Sequence, residues 1–146
     1  LGLDLIGDLI FQFDLFHKRL NILDELPANH HTFPIKRLKP GHVTIPVKFG
    51  NQNVDVLFDT GADTTVIDAS YVRANQDLLR FVRSEDGTDA LGHKIESKLY
   101  ECLSVGIGNL KLKHVEMAAF EFGSHLRESM EETPVILGNN VISKAI

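Results

Sequence analysis

The sequence predicts an all-β fold, a barrel or sandwich of many short strands with little helix. Apolar and polar residues alternate over short runs, and clusters of Gly, Asn and Asp separate those runs. Only brief stretches read as helix. At 146 residues the chain holds one domain's worth of core.

An internal repeat marks the start. Leu1-Gly2-Leu3-Asp4-Leu5-Ile6-Gly7-Asp8-Leu9-Ile10 aligns without gaps on Leu137-Gly138-Asn139-Asn140-Val141-Ile142-Ser143-Lys144-Ala145-Ile146, with identity at the first Leu, the first Gly and two Ile positions. The chain therefore reads as opening where an earlier copy of the same unit was ending. Phe11 to Leu15 alternates as a strand, Phe16 to Arg19 turns, and Leu20 to Leu23 closes a hairpin. Pro27 to Pro40 reads as a linker.

Val43, Ile45, Val47 and Phe49 then alternate with Thr44, Pro46 and Lys48, the period of a half-buried strand. Gly50 to Asn53 supplies turn chemistry, since Gly and Asn tolerate positive φ. Val54 to Phe58 returns as a second strand and delivers the chain to the polar loop Asp59-Thr60-Gly61-Ala62-Asp63. Thr65 to Ile67 resumes β character, and Asp68 is placed to cap a short helix through Tyr71 and Val72. Leu79 to Arg83 predicts a strand running into a polar tip at Glu85 to Asp89. Lys94 to Ile107 is a long strand ending in the turn Gly106 to Asn109, and Leu110 to Phe122 gives one or two more. Gly123 to Thr133, polar and acidic, is a surface loop or a single helical turn. Val135 to Gly138 is a short buried strand, and Asn139-Asn140 opens a helix through Ile146.

Composition excludes several functions. Fifteen basic and twenty acidic residues give a net charge of −5, and no basic stripe runs along any segment, so no nucleic-acid partner is expected. Lys36-Arg37-Leu38-Lys39 reads as a solvated linker, and the acidic run Glu128 to Glu132 as a solvated face. No apolar run approaches the roughly 20 residues that span a bilayer. Cys102 is the single cysteine, so no internal disulfide forms, and it reads as a small core residue. The seven histidines show no metal-ligand spacing, and no metal or other cofactor is expected. One thiol is compatible with more than one compartment, so localisation stays open. The chain begins at Leu1 and stops within a pattern at Ile146, and reads as part of a longer protein.

The run Val56-Leu57-Phe58-Asp59-Thr60-Gly61-Ala62-Asp63, followed far downstream by Val135-Ile136-Leu137-Gly138-Asn139-Asn140, resembles the retropepsin-like and pepsin-like aspartic peptidases, of a bacterial type. The resemblance covers His42 to Ile146. It implies an acid-protease closed barrel with one or two short helices at residues 41–146. Residues 27–40 would then be a linker. Residues 1–26 would be the C-terminal helix and hairpin of a preceding homologous unit, or a permuted strand of this one.

The chemistry suits the residue types. Hydrolysing a peptide without metal or covalent intermediate needs a base to activate water and an acid to protonate the leaving amine. Two carboxylates sharing one proton supply both. The resemblance implies that Asp59, Thr60 and Gly61 are catalytic, with Gly61 permitting the tight turn and the Thr60 hydroxyl bonding across to a partner loop. It implies that Ala62, Asp63, Gly87 and Gly92 bind substrate, Asp63 through the substrate main chain and the two glycines at the tip of a flap hairpin from about Phe81 to Lys98. Ile136, Leu137 and Gly138 form the companion structural motif. Ala62 stands where many pepsins carry Ser, and this implies activity extending toward neutral pH.

Only one Asp-Thr-Gly is present, and none of Asp4, Asp8, Asp14 or Asp24 is followed by Thr-Gly or Ser-Gly. The expected partners are thus a peptide or protein substrate and a second homologous unit, either a homodimer mate or an upstream lobe. The alternative is a catalytically incomplete module used for dimerisation or peptide binding. A loose match of Asp59 to Thr64 with the sugar-kinase phosphate loop fails, because that fold needs two large α/β lobes. No calcium loop is present.

Overall fold

The structure, a computed structural model, describes residues 9–14, 17–28, 34–38, 41–88 and 94–145. The alternating residues near the start form an antiparallel hairpin of β1 (Ile10–Asp14) and β2 (Arg19–Leu23), with Ile10 opposite Leu23 and Asp14 opposite Arg19. Most of the repeated decapeptide, residues 1–8, lies outside the described residues. Within the expected linker, β3 (Lys36–Arg37) pairs with the start of β4 (Val43–Phe49). Gly41, at φ +118°, turns the chain between them.

β5 (Gln52–Phe58) returns along β4 after the Gly50-Asn51 turn. It starts two residues earlier than the sequence suggested, because Gln52 and Asn53 continue the ladder opposite Phe49 and Lys48. β6 (Val66–Asp68) runs into α1 (Ala69–Ala74), where the Asp68 side chain accepts the Ser70 N–H at 3.0 Å, the cap foreseen from sequence.

β7 (Leu79–Thr88) and β8 (Lys94–Ile107) form a long antiparallel hairpin. Residues Glu85 to Thr88, read as a polar tip, are strand. Two-stranded ribbons expose both faces, so they carry polar residues without the alternation that signals burial. Gly87 sits in the ladder opposite Ile95 rather than at the turn. Gly92 lies outside the described residues. One extra residue, Val82, interrupts the pairing: Phe81 faces Tyr100, yet Arg83 faces Leu99. β9 (Leu110–Phe120) is a single strand. α2 (Ser124–Ser129) forms where a surface loop or a single helical turn was expected, β10 (Val135–Leu137) follows, and α3 (Asn139–Ala145) closes the described chain. Three short helices are thus present among the described residues, where one or two were expected.

The eight strands of the main sheet run in the order β3-β4-β5-β10-β6-β9-β8-β7. Additional pairing of β4 with β8, Lys48 opposite Gly106 and Phe49 opposite Val105, closes six of them into a barrel. The interior is filled by Val47, Phe49, Val56, Ile67, Val105, Val115, Met117, Val135 and Leu137, each nearly or wholly buried. Cys102 is in this core, as expected.

Register places one continuous row of side chains on the outer face. Directly paired positions run Lys36, Thr44, Leu57, Ile136, Val66, Ala118, Leu99 and Arg83, one from each strand of the sheet. The middle of this row is apolar, with Leu57, Ala118 and Leu99 buried and Val66 and Ile136 half-buried. Phe122 and Met130, which flank α2, pack onto Leu57, Val66 and Ile136 as a second small cluster. Asp59 follows Leu57 by two positions and leaves the barrel at the edge of this row.

Candidate active site

Two crossing chain segments build the site. β5 and β10 run parallel, with Leu137 opposite Phe58, so Asp59 and Gly138 leave the barrel side by side. The Asp59 N–H donates to the Leu137 carbonyl at 3.1 Å, extending the ladder by one bond. The loop then folds back on itself. Asp59 Oδ1 accepts the Gly61 N–H at 2.8 Å, and its carbonyl accepts the Ala62 N–H at 3.3 Å. This turn holds the carboxylate by one oxygen. A Cβ at Gly61 would stand 3.2 Å from that oxygen, so the smallest residue fits beneath it with least disturbance.

The opening residues of α3 tie the loop down. Asn139 donates its N–H to Ala62 O at 2.7 Å and its Nδ2 to Thr60 O at 2.8 Å, and the Asn140 N–H reaches Asp63 O at 3.1 Å. Beneath them lies a buried polar relay. The Gly138 N–H donates to Thr65 Oγ1 at 3.1 Å, and that hydroxyl donates to Asn140 Oδ1 at 2.7 Å. The same Oδ1 accepts the Thr65 N–H at 2.8 Å, while Asn140 Nδ2 donates to Glu116 O at 2.9 Å. Thr65 is fully buried, so these bonds satisfy groups that water does not reach. Gly138 lies so close to the Thr64 backbone that the crossing admits no side chain there.

The loop faces outward. Asp59 is half-buried, while Thr60, Gly61 and Asp63 are exposed. No hydrogen bond or ion pair links the Asp59 carboxylate or the Thr60 hydroxyl to another side chain among the described residues. Nor does any group of three His, Cys, Asp or Glu among them stand close enough to hold a metal. No helix among the described residues is long and apolar enough to cross a membrane.

Asp59 to Asp63 and Ile136 to Gly138, singled out from sequence, are thus brought into direct contact. Gly87 belongs instead to β7, at the edge of the sheet. Thr65, Asn139 and Asn140 carry the crossing, and sequence reading missed their side chains. The two asparagines were read as a helix opening, and nothing in their spacing shows that they reach back 75 and more residues.

The model of the aspartyl protease family matches residues 45–141, about two-thirds of the chain. The chain belongs to the aspartyl protease family. Its fold is retropepsin-like: it superposes on a retropepsin-like aspartic protease from Rickettsia conorii with a TM-score of 0.50 at 16% identity, over 75% of each chain. The EIAV protease, complexed with the inhibitor HBY-793, superposes with a TM-score of 0.52 at 18% identity, over 73% of this chain and 90% of that one. No curated protein sequence matches it significantly.

Proposed function

We propose that this aspartyl protease family member is an aspartic endopeptidase whose active site is completed by a second homologous unit. The observation that carries this reading is the outward-facing Asp59 carboxylate, held by Gly61 on a loop braced from below by α3. Asp59 and its counterpart share one proton. The ionised carboxylate takes a proton from water as the water oxygen bonds to the peptide carbonyl carbon. The protonated one then gives its proton to the departing amine as the C–N bond breaks.

In this reading the exposed Thr60 hydroxyl bonds to the partner loop, and Ala62 and Asp63 contact the substrate, the Asp63 carboxylate meeting the substrate's main chain. The β7–β8 hairpin, with Gly87 in its arm and Gly92 beyond the described residues, covers the bound peptide and excludes water. Ile136, Leu137 and Gly138 form the structural half of the crossing. Residues 41–146 make up the protease unit, and residues 1–26 belong by sequence to the end of a homologous one. The alanine at position 62 favours activity reaching toward neutral pH, and a profile confined to strongly acid pH would contradict that part.

Peptide hydrolysis by the wild type and Asp59→Asn, with and without a pepstatin-type inhibitor, tests the proposal. Activity that is inhibited in the wild type and lost in the variant is expected. Equal residual activity in both removes Asp59 from the mechanism. The presence of a single Asp-Thr-Gly favours a second reading, a catalytically incomplete module for dimerisation or peptide binding. That reading gains if peptide binds but no bond is cut in the assembled form.

A further inference from the structure

A cavity of about 600 Å³, the size of a small-molecule site, opens between α1, β8 and the end of β9. Its apolar lining comes from Val72, Ala119 and Phe120, and the first two are buried members of the barrel core. No residue of the Asp59 loop or of the Gly138 crossing lines it. Lys98 and Tyr100, which do, alternate along β8 with Leu99, a member of the outer row at whose edge Asp59 leaves the barrel. Successive side chains of a strand point to opposite faces, so Lys98 and Tyr100 turn away from that row.

Charge around the cavity is unbalanced. Arg73 and Glu121 offset one another, because both guanidinium nitrogens meet the carboxylate, the second pair of atoms at 3.2 Å. The Arg127 guanidinium lies a further 3.9 Å from Glu121. The Lys98 ammonium, by contrast, has no hydrogen bond or ion pair among the described residues. The Tyr100 ring stands edge-on to Phe81, with centroids 5.7 Å apart, and its hydroxyl has no hydrogen-bond partner among the described residues. One uncompensated cation and one hydroxyl able to donate, above an apolar floor, complement a single anionic group on an apolar body.

We propose that this cavity binds a carboxylate with an apolar body. The Lys98 ammonium and the Tyr100 hydroxyl donate to its oxygens, and the body lies against Val72, Ala119 and Phe120. A free hydrophobic acid and the C-terminal carboxylate of a peptide share this chemistry. The site stands whether or not Asp59 is catalytic.

Titration of phenylbutyrate into the full chain, followed by NMR, tests it. Amide shifts at Val72, Ala119 and Phe120 should saturate with a Kd in the millimolar range or tighter, while those of Gly61 and Ala62 stay in place. Lys98→Met should weaken binding about tenfold, Lys98→Arg should restore most of it, and Tyr100→Phe should cost about threefold. Lys98 is exposed, so its variants should melt with the wild type. Asp59→Asn should bind as the wild type does, which separates this site from the proposed peptidase. A blocked dipeptide with a free C-terminal carboxylate distinguishes the two sources: tighter binding than phenylbutyrate assigns the site to peptide ends, weaker binding to free acids. The neutral phenylbutyramide binding as well as the acid, shifts centred on Gly61, unchanged affinity in Lys98→Met, or no saturation by about 10 mM each overturns the proposal.

Discussion

A Cβ on Gly138 would stand 2.5 Å from the carbonyl carbon of Thr64 and 2.6 Å from its oxygen. Both obstacles are backbone, and the next residue, Thr65, is pinned to Asn140 by two hydrogen bonds. Neither side has room to yield. Gly138→Ala is therefore expected to cost about 3 kcal/mol, the upper range for overpacking. The check is a lower urea midpoint at unchanged slope. Unchanged stability would show that the two segments do not cross this tightly.

Thr65 offers a cleaner separation of hydroxyl from shape. Thr65→Val keeps the volume but strands the buried Gly138 N–H and removes one donor to Asn140, a loss of about 2 kcal/mol. Thr65→Ser retains the hydroxyl and should cost markedly less. If both variants unfold at the same denaturant concentration, the relay does not contribute.

Arg127 fastens α2 to the barrel. Its guanidinium meets the Asp68 carboxylate at 2.9 Å, also reaches the Ser70 hydroxyl, and donates through Nε to Phe122 O. Asp68 is 4% exposed. Arg127→Met leaves that carboxylate buried with its main cationic partner gone, and about 3 kcal/mol of stability should be lost. Asp68→Asn combined with Arg127→Met should cost less than the sum of the two, as thermal or denaturant melts would reveal.

The Glu116 carboxyl is held below the usual carboxylate range by the hydrogen bonds and charge of Arg83, which reaches across from β7. A lowered folded-state value has a definite sign. Its stabilisation is complete above the ordinary Glu value and disappears as pH falls through the lowered one. The pair is exposed to solvent, so the effect on stability is small and weakens with salt. Titration of Glu116 followed by NMR should show the depressed midpoint, and Arg83→Gln should return it toward the ordinary value.

The strand framework was legible wherever burial imposed alternation. Val43 to Phe49, the cap at Asp68 and the short apolar run at Val135 were all readable, because each states its environment in one or two neighbouring residues. The pairing of Asp59-Thr60-Gly61 with Ile136-Leu137-Gly138 was readable only as a resemblance. Thr65, Asn139, Asn140 and Arg127 were not readable at all. Their partners lie far away in sequence, and a polar side chain that bonds to distant backbone leaves no periodic trace. The extension of β7 through Thr88 was missed for a related reason, since a ribbon wet on both sides has no pattern to announce it.

Val82 acts as a parity switch within β7. Before it, odd-numbered residues turn inward with Cys102 and Tyr100; after it, odd-numbered residues turn outward with Leu99, on the side where Asp59 emerges. Arg83 and Glu85 reach that side only because one residue is surplus. Excising Val82 would leave both where they are, in an unbroken ladder, whereas drawing Val82 into line opposite Leu99 would hand their places to the even-numbered side chains and turn the arm inside out.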